Sequence, residues 1–106
     1  MRARTAAHLR EVGDRRGIAF ILEGFAGLAA AEAQPARAIC LASAAASLRR
    51  IIGAAAPPSW RTDLEHRLEA ASTGLSREAV EDAGARGRGM SLPEAVVFAL
   101  GVPETP

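Results

Sequence analysis

The stretch GIAFILEGFAGLAAAEAQPARAICLASAAASLRRIIG, Gly17 to Gly53, decides the fold. In its first half Ile18, Leu22, Phe25 and then Leu28 or Ala29 recur at three- and four-residue steps, which places them on one helical face. Gly24 and Gly27 stand among them, where small residues would leave room for a second helix to approach closely. Gln34-Pro35 breaks the chain, and Pro35 suits a first helical position, where its missing N–H costs nothing. The second half carries Ala38, Leu41, Ala45, Leu48 and Ile52 on one stripe and stops at Gly53. Two such helices folded back on each other make the helix-turn-helix unit of a stacked repeat, a unit that builds interaction surfaces.

Working outward, no stretch reads as a strand, and six helices are expected. A helix from about Arg4 to Val12, with Ala6, Leu9 and Val12 as a short apolar stripe, should end at Gly13-Asp14. Beyond Gly53, Pro57-Pro58 makes a rigid turn. Ser59 can then cap a helix with Trp60, Leu64, Leu68 and Ala71 on one side, which Gly74 should end in the left-handed conformation. Ser76 is a cap for the next helix, with Leu75 and Val80 as a staple. That helix should die in Gly84-Ala85-Arg86-Gly87-Arg88-Gly89, because each glycine costs about 1 kcal/mol relative to alanine. Ser91-Leu92-Pro93-Glu94 is a capping box opening a last apolar helix that Gly101 and Pro103 close.

Composition narrows the function. The chain of 106 residues has room for one domain. Hydrophobic residues make up 49%, but much of that is alanine and only Phe20, Phe25, Phe98 and Trp60 are aromatic, so the core should be thin. A net charge of +1 points to no nucleic acid and no acidic surface. Cys40 alone cannot form an internal disulfide and suits a reducing cytoplasm. The basic start leads into His8, Arg10 and Glu11 instead of an apolar run, so it does not read as a signal peptide, and Glu23 interrupts the longest apolar run. A cytoplasmic protein without a membrane span is expected.

No residue offers a reaction. His8 and His66 lack partners at metal-ligand spacing, and Cys40 sits between Ile39 and Leu41 with no activating histidine. Arg86-Gly87-Arg88-Gly89 is too short, and too poor in aromatics, to read as an RNA-binding tract. Trp60 is the side chain to watch, either as an interface anchor or as a plug at one end of the helical stack. No enzyme, cofactor or metal is expected.

In order, Gly13-Asp14-Arg15-Arg16-Gly17-Ile18-Ala19 and Leu22-Glu23-Gly24-Phe25-Ala26-Gly27-Leu28-Ala29, then Ala36-Arg37-Ala38, Ala44-Ala45-Ala46-Ser47-Leu48-Arg49 and Ile52-Gly53-Ala54, resemble the last tetratricopeptide-like repeat of large actinobacterial LuxR-type ATPase regulators. Leu75, Glu78-Ala79, Arg86-Gly87, Met90-Ser91-Leu92, Glu94-Ala95 and Ala99-Leu100 are similar to the helical cap closing such arrays. Ala29 and Ala42 stand where larger residues are usual, and Val80 and Ala83 replace aromatics of the cap. Neither a phosphate-binding loop nor a DNA-binding helix-turn-helix after Leu100 is present, so the chain resembles the C-terminal piece of a larger regulator.

The resemblance implies an all-α fold of antiparallel helical hairpins stacked as a tetratricopeptide-like array. Residues 1–14 would be a remnant of the preceding repeat, 15–53 the repeat pair and 54–106 the cap. The implied function is a non-catalytic interaction scaffold whose partner is another protein or the rest of a longer regulator. Leu9, Val12, Ile18 and Leu22 would face the preceding repeat, with self-association as the consequence of leaving them bare, and Trp60 completes the candidate surface. The alternative is a DNA-binding module with Arg15, Arg16, Arg37, Arg49 and Arg50 on phosphates. Its second helix offers mostly alanine where a reader needs polar groups, so direct nucleic-acid binding is not expected.

Overall fold

The computed structural model describes the backbone of residues 2–101 and the side chains of residues 13–101. Those residues form five helices and no strand: α1 (Arg2–Ala31), α2 (Pro35–Ile52), α3 (Pro58–Ser72), α4 (Arg77–Gly89) and α5 (Leu92–Leu100). The fold is all-α, built on the antiparallel hairpin of α1 and α2. Helix α2 is its centre, with the other four helices packed on it, while α1 also touches α3 and α5.

The hairpin turn is local chemistry. Gln34 N–H donates to the Ala29 carbonyl and Ala33 N–H to the Ala30 carbonyl, which satisfies the last carbonyls of α1. Ala33 occupies the left-handed region at φ 58°, a position glycine fills at less cost. Pro35 opens α2 as expected, and Gly53 closes it at φ 67°. Leu22 and Ala26 of α1 then meet Leu41, Ala44 and Ala45 of α2, and Ala95 and Ala99 of α5 complete the cluster. Alanines dominate the buried set, which accords with the thin core read from composition.

Several expected boundaries move. The helices expected at Arg4–Val12 and from Gly17 are one continuous α1, so the division at residue 14 falls inside a helix. Gly13 and Asp14 are poor helix formers, but a break there would leave four carbonyls and four N–H groups without intrahelical partners. Gly24 has open space where a side chain would project and Gly27 faces only the Arg67 guanidinium, so neither makes the close approach between α1 and α2.

The close approach lies instead where the helix was expected to fail. Helix α4 runs through Gly84 and Gly87 to Gly89. A Cβ at Gly87 would stand 2.1 Å from the Cys40 carbonyl oxygen, so only glycine lets α4 lie directly on α2. Packing outweighs the propensity cost. The Ser76 cap is present, its side chain accepting from Ala79 N–H.

Helix α3 also begins and ends differently. Pro57 takes an extended conformation at the N-cap and Pro58 opens the helix, so Ser59 is not the cap. At the other end Thr73 remains right-handed, and Gly74 does not adopt a left-handed conformation. Hydroxyls satisfy carbonyls of the last turns instead, Ser72 Oγ donating to the Leu68 carbonyl and Thr73 Oγ1 to the Ala70 carbonyl. In α5 the capping box forms as read, with Ser91 and Glu94 each bonding the other's backbone N–H.

Candidate functional site

Helix α3 contributes no buried residue to the fold. It leans on the hairpin through Trp60 and Leu64: the Trp60 Nε1 donates to Glu23 Oε1 at 2.9 Å and its ring stacks on Phe20 with centroids 4.8 Å apart, while half-buried Leu64 packs against the hairpin core. Glu23 is held in turn by Arg49 in a two-pronged pair, Nε to Oε2 at 2.7 Å and Nη2 to Oε1 at 2.8 Å. Both partners are nearly buried, at 5% and 7% exposure. Arg49 Nη1 donates to the Ala54 carbonyl at 3.1 Å, tying the α2–α3 loop to the same cluster. The charges are matched and their hydrogen-bonding groups are used, the condition under which a buried ion pair is tolerated.

A groove of about 630 Å³ opens between α3 and α2. On the α2 side it is lined by Ile39, Ala42, Ser43, Ala46 and Arg50, and on the α3 side by Arg61, Leu64, Glu65 and Leu68. Both sets follow the three- and four-residue helical step, so each helix offers one stripe. The floor is small and apolar, and Leu64 and Leu68 form the facing wall. Two guanidiniums stand at the loop end. Arg50 donates to Ser47 Oγ at 3.2 Å in an exposed contact, and the Arg61 side chain has no partner among the described residues.

The residues singled out from sequence do not form one face. Leu22 is 1% exposed and lies in the core, in one cluster with Leu41, Ala44 and Ala45 of α2 and Ala95 and Ala99 of α5. Ile18 is half-buried against the same core. Among the described residues, the large apolar side chains that α1 exposes are Phe20 at 52%, Ile21 at 56% and Leu28 at 51%. Leu9 and Val12 lie outside the described side chains. Trp60 is turned inward onto Phe20 and Glu23.

Arg37 and Arg49, both named in the DNA-binding alternative, are committed internally. Arg49 holds Glu23, while Arg37 Nη2 donates to the Phe98 and Ala99 carbonyls at 2.9 Å each, covering the C-terminal carbonyls of α5. Arg37 and Arg86 also flank the Phe98 ring at 4.7 and 4.8 Å. Burial pushes the Cys40 thiol above its usual pKa, with Arg86 and Arg37 pulling it part of the way back. His66 is exposed, and among the described residues no three histidine, cysteine or acidic side chains gather to hold a metal. Nor is any helix there long and apolar enough to cross a membrane.

Comparison with protein-family models, with curated proteins and with solved structures returns no match to this chain. The geometry therefore has to speak for the function. The Glu23–Arg49–Trp60 cluster was missed in sequence because its members lie 26 and 37 residues apart. One signal pointed to it: a lone carboxylate, Glu23, inside the apolar run from Ile18 to Leu28 needs a buried partner.

Proposed function

We propose that this chain is a non-catalytic binding scaffold, the C-terminal tetratricopeptide-like segment of a bacterial transcriptional regulator, working in the cytoplasm. The observation that carries the reading is the α2–α3 groove, apolar along its floor and walled by a helix without a single buried residue. A wall without a buried residue can shift to accept a partner, its contact with the Leu22–Leu41 core being the half-buried Leu64. The partner is another protein or the remainder of the longer regulator, and the exposed Ile21 and Leu28 of α1 offer apolar surface for self-association. Internal use of Arg37 and Arg49 weighs against the DNA-binding reading, which needs them on phosphates.

Site-specific photocrosslinking tests this in cells that express the chain. A photoreactive residue replacing Ala42 or Ala46, in the groove, should give protein adducts, whereas one replacing Glu69 or Ala70, exposed and outside it, should give none. Equal labelling from both sets, or adducts to DNA alone, would overturn the scaffold reading.

A further inference from the structure

The chemistry of the groove says more than that a partner binds. We infer that its occupant is an amphipathic helix carrying an acidic last turn, laid along α2 with that turn at the α2–α3 loop; this rests on the scaffold reading above. Its length comes first. From Ile39 to Arg50 the α2 stripe runs about 17 Å at 1.5 Å per residue, matching about three turns of a helix. The groove is open along this length, whereas small-molecule sites usually enclose most of their ligand. Ala42 and Ala46 leave room for a helix backbone to come close, and Ile39, Leu64 and Leu68 offer flanking apolar contacts.

Charge then sets polarity. Arg50 and Arg61 stand together at the loop end, both exposed, one with a single exposed hydroxyl contact and one without a partner among the described residues. Glu65 lies one turn further along α3, toward the apolar end, so the positive charge is confined to the loop end. Arg49 adds none, because Glu23 neutralises it. A bound helix whose C-terminal turn carries glutamates brings both side-chain charge and the negative end of its dipole to the two guanidiniums.

A labelled 14-residue amphipathic peptide supplies the probe, with leucines at helical spacing and three glutamates in its last turn. Its anisotropy should rise saturably with the full chain. An isomer with three lysines in that turn should bind at least about tenfold more weakly. Arg50→Glu with Arg61→Glu should reverse the preference, and Ala46→Trp, filling the floor, should weaken both peptides, with helicity checked by circular dichroism. Equal binding of the two isomers would overturn the inference, as would binding of dodecanoate in the groove with none of the peptide. If the peptide fails while Ala42 still crosslinks a protein, only the acidic-helix chemistry falls. If both fail, the groove reading falls with it.

Discussion

The Trp60 indole nitrogen donates to Glu23 Oε1 at 2.9 Å, across 37 residues of sequence, and this bond joins α3 to the hairpin. Trp60→Phe keeps an aromatic ring for Phe20 but removes the donor, and a hydrogen bond to a charged group is worth about 1.5–3 kcal/mol. Chemical denaturation should register a loss within that range.

The carboxylate behind that bond also faces Arg49. Removing one member of a buried pair leaves an uncompensated charge and costs about 3–5 kcal/mol, so Glu23→Leu or Arg49→Met alone should each be severe. The double variant Glu23→Leu with Arg49→Met should cost clearly less than the sum, since no charge remains buried. Denaturant midpoints of the three variants check this; strict additivity would mean that the two residues are not coupled.

Glycines separate in the same way. Gly87→Ala would drive a methyl group into the Cys40 carbonyl and should destabilise by about 1–3 kcal/mol or more, prising α4 from α2. Gly24→Ala meets open space and should stabilise α1 by up to about 1 kcal/mol. Ala33→Gly should also raise the melting temperature, because Ala33 sits in the left-handed region at φ 58°.

Two groups set a pH dependence of opposite sign. The Ser91 backbone N–H on Glu94 holds that carboxyl below its usual range, helped by the Ser91 hydroxyl. Its contribution is complete above the unfolded value of about 4.3 and is lost as pH falls through the lowered folded value. Burial raises the Cys40 thiol, so the unfolded chain loses its proton first and stability falls above about pH 8.5. Melting temperatures should decline at both ends, with Glu94→Gln flattening the acid limb and Cys40→Ala the alkaline one.

What sequence revealed was what is written locally. Pro35, Gly53 and the Ser91–Glu94 box each act within four residues, and each sits where it was read. Ser59 and Gly74 misled because two prolines and two hydroxyls supplied the same services from neighbouring positions. Gly87 looked like a breaker because propensity is a property of one helix, while its role needs the second helix that lies on it. Leu22, offered by its spacing both to the second helix and to an outer face, joins a core cluster that draws on α2 and, more than 70 residues away, on α5. The groove was invisible for a similar reason: Ile39, Arg50, Arg61 and Leu68 become a site only once Trp60 fixes the tilt of α3.

The central claim is that α3 is a lightly held wall, and amide hydrogen exchange across the full chain tests it most directly. In the unaltered chain α3 should exchange well ahead of the Leu41–Leu48 segment of α2, and in Trp60→Phe it should exchange faster still and remain well ahead of α2. Protection of α3 equal to that of α2, in either chain, would mean that α3 opens only with the whole fold and would contradict the account.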